Sequence, residues 1–226
     1  MVAAERTPVA ELLTFEEALA RILGRAEPLP SETVPVERAS GRVLAKAALA
    51  RTDLPPFPSS AMDGFAVRAS ETPGALPVAL HVAAGKPAAE SLPEGAAATI
   101  ATGGAVPEGA DSVVPIERAA EANGHVEIPD AVRPGAHVRP RGGDVLEGAT
   151  VVSAGARLGP VQIGALAAAG VGEVSCARRP RVAILATGSE LRAPGEPLDP
   201  GQIYESNRPM IAAVLSAAGA EVELLD

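Results

Sequence analysis

Residues 55–66 read Pro-Pro-Phe-Pro-Ser-Ser-Ala-Met-Asp-Gly-Phe-Ala, and this stretch divides the chain into two kinds of sequence. Pro55, Pro56 and Pro58 make a stiff, extended linker. Asp63-Gly64 follows after residues 59–62 and has the composition of a turn. We therefore place a domain boundary at the prolines, with Asp63 at the entrance of the second region.

The sequence before the linker predicts one amphipathic helix. Thr14 and Glu17 have the spacing of a capping box. Gly24 suits the position after the last helical residue, and prolines follow it. The residues that recur on one helical face are Phe15, Leu19, Ile22 and Leu23. A short extended segment is predicted at residues 33–36.

Between residues 63 and 145 the sequence predicts a β-rich region, because short strand-like segments are interrupted every few residues by Gly and Pro. These segments are residues 77–83, 97–101, 111–115, 125–128 and 136–139. Their spacing favours a small β-barrel or sandwich. Since a helix is predicted afterwards at residues 160–169, the β-rich region is interpreted as an insertion.

The last part of the chain predicts a right-handed βαβ unit, with a strand at 182–186, a helix at 209–218 and a strand at 221–225. The first strand is continuously apolar, which is typical of a strand buried on both faces. The loop 187–190 follows at the sheet edge where ligands bind in open α/β sheets. Because two strands and one helix cannot bury both faces of a sheet, we expect the beginning of a larger domain. A small appendage packed on the earlier helices or on another subunit is the alternative.

Composition limits the partners of the chain. With a net charge of −9 and 2% aromatic residues, it has neither a basic field for nucleic acid or anionic membranes nor an aromatic platform for bases. The one cysteine, Cys176, suits a reducing compartment and is interpreted as a buried structural thiol. No secretory signal is recognised before Leu13, and no apolar stretch is long enough to cross a bilayer. We expect a soluble cytoplasmic protein.

Four turns that contain glycine carry the candidate site residues, and Gly permits a close approach of backbone to ligand. They are Asp63 before Gly64, Thr102 before Gly103-Gly104, Asp144 after Gly142-Gly143, and Glu190 after Thr187-Gly188. Taken singly, each is explained as well by turn capping. Arg139 and Arg141 could grip an anion or lie on a solvated strand face.

Common phosphate-binding and metal-binding motifs do not occur. Gly103-Gly104 is not followed by the Gly-Lys-Ser or Gly-Lys-Thr of a phosphate loop, and no dinucleotide fingerprint follows the strand at 182–186. No histidine has a helical partner four residues away, so a zinc site is not predicted. The histidines are His81, His125 and His137.

In combination the motifs resemble a known family. Residues 55–66 resemble the signature of the molybdopterin molybdenumtransferase (MoeA) family, which includes the C-terminal E domain of gephyrin. Three further motifs resemble the family pattern in the family's order: residues 100–114, residues 139–145, and residues 187–191 together with 201–203 and 206–207. Four ordered motifs are far more specific than any one of them.

The resemblance implies a multidomain α+β protein of which this chain is the N-terminal portion. An elongated α/β domain would comprise residues 1–50 and 146–178, interrupted by a β-rich domain inserted at 51–145. Residues 179–226 would begin an α/β parallel-sheet domain that binds molybdopterin. The resemblance also implies a homodimer, with each active site between the α/β domain of one subunit and the inserted domain of the other.

The implied reaction belongs to molybdenum cofactor biosynthesis. It is the insertion of molybdate into adenylylated molybdopterin with release of AMP, and Mg²⁺ is the implied cofactor. Carboxylates can hold Mg²⁺ that bridges phosphates or accept the N–H groups of a pterin, and Thr102 could donate its hydroxyl to an oxyanion. The residues implied as catalytic are Asp63, Asp144 and Glu190. Those implied in substrate binding are Thr102, Gly103, Thr187, Gly188 and Ser206.

Two positions depart from the family pattern. Gly143 stands where relatives usually have Glu, and Ser189 where they usually have Asp. The family's later glycine-rich acidic motifs and its C-terminal β domain do not occur in this sequence, so we expect little or no turnover from this chain without them. Two alternatives stay open: a non-catalytic scaffold or dimerisation module of the same architecture, and an unrelated sugar- or nucleotide-phosphate enzyme.

Overall fold

A computed structural model of the chain describes residues 13–225. Interpretations that fall on residues 1–12 and on Asp226 lie outside the described residues. The helices are α1 (Phe15–Leu23), α2 (Pro160–Ala168) and α3 (Asn207–Ala218). The strands are β1 (Ser31–Pro35), β2 (Ala48–Leu49), β3 (Ser59–Ser60), β4 (Gly64–Val67), β5 (Gly74–Val82), β6 (Ala97–Ile100), β7 (Ser112–Pro115), β8 (Ala120–Ala122), β9 (His125–Ile128), β10 (Val138–Arg139), β11 (Thr150–Val152), β12 (Glu173–Ala177), β13 (Arg181–Leu185), β14 (Leu191–Arg192), β15 (Ile203–Tyr204) and β16 (Glu221–Leu225).

The chain is a mixed α/β protein that is rich in strands, as the sequence predicts. It divides into two compact units, Thr33–Cys176 and Met1–Glu32 with Ala177–Asp226. No helix among the described residues has both the length and the apolar character needed to cross a membrane.

Within Thr33–Cys176, one hydrophobic core draws on both flanks of the β-rich region. Val34 and Leu44 from the first flank pack with Leu158 and Leu166 from the second, and buried Cys176 completes this core as the structural thiol that the sequence predicts. Two further cores lie between residues 65 and 128. The boundaries placed at residues 51, 145 and 179 remain predictions.

The β-rich region contains a six-stranded sheet, and the predicted closure into a barrel or sandwich stays a prediction. The strand order is β7-β4-β6-β5-β9-β8. β5 and β6 run parallel, and the other neighbouring pairs are antiparallel. The alternation of residues predicts strands, but it carries no information about which strands pair across a long connection. The sequence therefore missed this order, and it missed β3, β4 and β8.

β4, which lies inside the signature stretch, separates two hydrophobic cores. Phe65 and Val67 belong to the core on one face, and Ala66 belongs to the core on the other. At Gly64 the neighbouring strand β7 comes so close that a Cβ would lie 2.0 Å from Val114 O. Only glycine fits at this position, because no relaxation of a side chain can remove a clash with backbone.

The second unit contains the predicted parallel βαβ arrangement. β13 and β16 pair in parallel along their full length, and α3 connects them. Ile184 is the one residue of β13 that is buried, so the expected burial on both faces is not met within the described residues. α3 contacts both strands of this two-stranded sheet. Gly219 ends α3 in the left-handed conformation.

α1 has the predicted capping box, with reciprocal hydrogen bonds between Thr14 and Glu17. Gly24 ends the helix, but in a right-handed rather than a left-handed conformation. The apolar face is exposed within the described residues, at Phe15, Leu19, Ile22 and Leu23.

We predict that Gly64→Ala lowers the free energy of unfolding by about 3 kcal/mol, because the added methyl group must displace the backbone of β7. Gly164→Ala is the matched control. Gly164 lies inside α2, where a Cβ would meet nothing within 4 Å, so alanine should stabilise the protein by about 0.5–1 kcal/mol. Urea denaturation followed by circular dichroism measures both. Equal stability of the Gly64→Ala variant and the wild type would contradict the close packing of β4 and β7.

Candidate functional site

Three of the sequence motifs lie side by side around Ser59-Ser60. On one side, β3 pairs antiparallel with β10, where the third motif begins. On the other side, Ser60 N–H donates to Gly104 O at 2.9 Å, and Gly103 N–H donates to Ser60 O at 2.8 Å. Ser60 is 1% exposed, so these backbone bonds are shielded from water. Segments that are far apart in sequence therefore meet at one dipeptide.

Asp63 is held by Thr102 of the second motif. Thr102 N–H donates to Asp63 Oδ1 at 2.6 Å, and the Thr102 hydroxyl donates to the same oxygen at 2.9 Å. No residue between 13 and 225 donates a hydrogen bond to Asp63 Oδ2, and the Asp63 side chain is exposed. One carboxylate oxygen is thus fixed by the protein, and the other is accessible to a ligand.

These contacts keep Asp63 ionised. The hydrogen bond from the Thr102 backbone, and after it the bond from the Thr102 hydroxyl, lower the pKa of Asp63, while partial desolvation opposes them. Both donors stabilise the charged form of the carboxyl group. Asp63 therefore presents a negative charge at neutral pH.

An open depression of about 520 Å³ lies next to Asp63 on the sheet. β4, β6 and β5 are adjacent here, and His81 Nδ1 lies 2.7 Å from Thr99 Oγ1 across the β5–β6 pair. Phe65 and Glu121 also line the depression. The space is large enough for part of a small-molecule ligand beside the Asp63 carboxylate.

Asp144 lies on the loop that follows β10, and Asp53 organises this loop. The Glu147 N–H and Arg141 Nε donate to Asp53 at 2.8 and 2.6 Å. Both hydrogen bonds lower the pKa of Asp53, and the bond from the Glu147 backbone has the larger effect. Asp144 N–H donates to Leu54 O at 2.9 Å, and the Asp144 side chain is exposed.

Arg141 is therefore ion-paired rather than available to grip an anion, whereas Arg139 is exposed. Sequence reasoning missed Asp53, although a turn-forming residue two positions before a proline was a usable signal. At Gly143, a Cβ would lie 3.0 Å from Pro140 Cγ and 3.1 Å from Pro140 O. The tight turn at this position thus suits a glycine.

The remaining candidates lie in the second unit. Thr187, Gly188 and Glu190 are exposed on the loop after β13. A Cβ on Gly188 would lie 2.8 and 2.9 Å from the two Glu190 carboxylate oxygens, so the absence of a side chain leaves room for this carboxylate. Ser206 precedes α3, and its side chain makes no capping hydrogen bond.

Glu205, which sequence reasoning missed, takes the capping role at α3. Its carboxylate accepts Arg208 N–H at 2.8 Å and Arg208 Nε at 3.2 Å, and the residue is 4% exposed. The backbone hydrogen bond from Arg208 is the main cause that lowers the pKa of Glu205. A negative charge at the start of α3 is also favoured by the helix dipole.

The sequence pattern described as "MoeA N-terminal region (domain I and II)" matches residues 13–170. The chain belongs to this family. The match includes the signature stretch, the Thr102 turn and the Asp144 loop, which are the three motifs that converge at Ser59-Ser60. The assignments of individual site residues within the MoeA family remain predictions.

Curated relatives carry matching names. The chain is 44% identical over 197 residues to molybdopterin molybdenumtransferase 2 of Mycobacterium tuberculosis, a match that covers 84% of this chain and 49% of the relative. It is 36% identical over 216 residues to molybdopterin molybdenumtransferase of Haemophilus influenzae, covering 93% of this chain and 53% of that protein. The chain spans about half the length of the curated relatives it matches.

Solved MoeA structures have the same fold. Two structures of a molybdopterin biosynthesis MoeA protein from Pyrococcus horikoshii superimpose with TM-scores of 0.87 and 0.78, at 32% and 35% sequence identity. These alignments cover 96% and 95% of this chain, and 60% and 56% of the respective structures.

We predict that Thr102→Val raises the pKa of the Asp63 carboxyl, because it removes the hydroxyl donor while the backbone donor remains. Since the pKa of folded Asp63 is lowered, its contribution to stability is present above its ordinary pKa and is lost as the pH falls through the lowered value. The free energy of unfolding of Thr102→Val should therefore fall less than that of the wild type as the pH is lowered through that range. Titration of the Asp63 carboxyl by ¹³C NMR measures the shift.

Thr102→Ser restores the hydroxyl and should restore the low pKa. Thr99→Val is a matched control in the same depression, since the Thr99 hydroxyl contacts His81 and not Asp63. An unchanged Asp63 pKa in Thr102→Val would show that the hydroxyl does not hold this carboxylate in solution.

Proposed function

We propose that the protein containing this chain is a molybdopterin molybdenumtransferase that acts in molybdenum cofactor biosynthesis. It would insert molybdate into adenylylated molybdopterin and release AMP. Family membership and the names of the relatives support this reaction. The observation that carries the proposal for this chain is the Asp63 carboxylate, which is held by two donors from Thr102 and is open on its other oxygen.

Asp63 is suited to a substrate contact because its geometry is fixed before the substrate arrives. One oxygen is occupied by Thr102, so the carboxylate cannot rotate freely, and little ordering is needed on binding. The second oxygen can accept an N–H group of a pterin or contact a cation on a phosphate. We assign Asp63 a direct contact with substrate.

Thr102 and Gly103 are assigned a positioning role in this proposal. The Thr102 hydroxyl hydrogen is directed to Asp63, and the Gly103 N–H is directed to Ser60 O. Neither donor is available to an oxyanion while these bonds persist. Direct substrate binding by the two residues, as the resemblance implies, would require a rearrangement of the turn.

We propose that Asp144 and Glu190 are further catalytic carboxylates, and that Thr187, Gly188 and Ser206 bind substrate. All five residues are exposed, as direct contact requires. The fixed backbone around Asp144, and the room that Gly188 leaves for the Glu190 carboxylate, support the two carboxylate assignments.

Mg²⁺ is proposed as the cofactor. No three or more His, Cys, Asp or Glu residues within 13–225 are grouped so that they could hold a metal ion. Mg²⁺ is commonly held by one or two carboxylates together with substrate phosphates, and the open oxygen of Asp63 fits that arrangement. The ion would neutralise phosphate charge in the complex.

We further propose that residues 51–145 form an inserted domain and that the protein is a homodimer with each active site shared between subunits. One core is drawn from both flanks of the β-rich region and two separate cores lie within it, which supports the insertion. In the shared site, Asp63 of one subunit and Glu190 of the other would face the same substrate.

The shared site predicts complementation between two inactive variants of the full-length protein that contains residues 1–226. Asp63→Ala and Glu190→Ala should each abolish AMP release from adenylylated molybdopterin and molybdate. When the two variants are co-expressed in equal amounts, about half of the dimers contain one subunit of each. Each mixed dimer has one intact site of two, so the preparation should recover about a quarter of wild-type turnover. Glu90→Ala, which changes an exposed acid elsewhere, should keep full activity.

The outcomes separate the parts of the proposal. A wild-type protein that binds adenylylated molybdopterin but releases no AMP would exclude the transferase reaction. An active wild type whose two inactive variants show no complementation would exclude the shared site and leave the reaction assigned.

A further inference from the structure

A second cavity lies in the β-rich region, away from the Asp63 depression. It has a volume of about 300 Å³ and shares no lining residue with that depression. Its wall is built from the end of β7, the end of β9 and the segment that returns from β9 towards β10. Ala131, Val132 and Ala136 give it an apolar lining, whereas Val114 and Ile128 at its edge belong to a core and are 2% and 1% exposed.

Basic side chains surround this apolar lining. Arg118, Arg133 and His137 line the cavity together with one acid, Asp130. Neither arginine has an ion pair or side-chain hydrogen bond with any residue in 13–225, although Asp130 lines the same cavity. By contrast, Arg141 and Arg208 are each paired with a carboxylate.

Arg118 and Arg133 line the same cavity, so both guanidinium groups can approach one ligand. Arginine is well suited to carboxylate and phosphate groups, because its planar group donates two parallel hydrogen bonds. The juxtaposition of these two side chains over an apolar lining points to an anionic ligand.

The backbone that carries these residues is held in place on both sides. Ser112 Oγ donates to Arg133 O at 3.0 Å, and Val113 N–H donates to Ala136 O at 2.8 Å. Further along, Ala61 N–H donates to His137 O at 2.9 Å, so the wall is connected to the signature stretch. A cavity whose wall is already ordered loses little entropy when a ligand binds.

We propose that this cavity binds a small organic anion, with Arg118 and Arg133 binding its anionic group and its apolar body on Ala131, Val132 and Ala136. Its volume is at the lower end of small-molecule sites, which are roughly 300–1,000 Å³, so it suits a ligand with about one ring. Asp130 can accept a hydrogen bond from a ligand hydroxyl and disfavours a second anionic group. The site is independent of the proposed transferase reaction.

Calorimetric titration of the 226-residue chain with phenyl phosphate tests the site, with inorganic phosphate as the comparison. Phenyl phosphate should bind at least about tenfold more tightly, because the ring contacts the apolar lining. Arg118→Gln and Arg133→Gln should each weaken phenyl phosphate binding by about tenfold, the loss expected for one charge-assisted hydrogen bond. Arg139→Gln is the matched control, an exposed arginine outside the cavity, and it should leave binding unchanged.

Both cavity arginines are exposed, so neither variant should change the unfolding temperature. Failure of phenyl phosphate to bind at millimolar concentration would overturn the proposal. Equal affinity for phenyl phosphate and inorganic phosphate would do so too, because it removes the role of the apolar lining. If Arg139→Gln weakened phenyl phosphate binding as much as the cavity variants do, the binding would reflect arginine charge in general and not a specific site, and the proposal would be wrong.

Discussion

The backbone of Ser60 is hydrogen-bonded in both directions to Gly103 and Gly104, and the candidate site in Thr33–Cys176 depends on this pairing. It brings the Thr102 turn next to Asp63, so the two Thr102 donors reach Asp63 Oδ1. On its other side, β3 pairs with β10 and fixes the start of the loop that carries Asp144. A change in this pairing would move three motifs at once, whereas a change at any single exposed candidate would move only that residue.

The same stretch also determines the core. Directly after Asp63, β4 lies between β7 and β6 in the six-stranded sheet, where its alternate residues pack into two cores. The contact between Gly64 and the Val114 backbone allows no side chain at that point. The residue that carries charge at the surface is thus adjacent to the residue with the strictest packing requirement, so the position of Asp63 is coupled to the stability of the sheet.

Local signals in the sequence predicted local structure well. The Thr14–Glu17 spacing predicted the capping box, and the apolar run ahead of residue 187 predicted the first strand of the βαβ unit. The order of the six-stranded sheet was not predictable, because β5 and β6 pair in parallel across a connection without regular periodicity. The motifs predicted which turns carry the candidate residues, but not that Thr102 binds Asp63, since hydrogen bonds between distant segments follow from tertiary pairing. Glu205 was missed because its partner Arg208 becomes a neighbour only once α3 forms.

Removal of the charge at Asp63 without loss of its hydrogen bonds tests the central assignment most directly. In Asp63→Asn, the amide oxygen can still accept both bonds from Thr102, so the fold and the unfolding temperature should be retained. If the open carboxylate oxygen contacts the substrate, molybdenum cofactor formation by the full-length variant should fall on the order of a hundredfold. Turnover close to that of the wild type, in a variant with unchanged stability, would contradict the role assigned to Asp63.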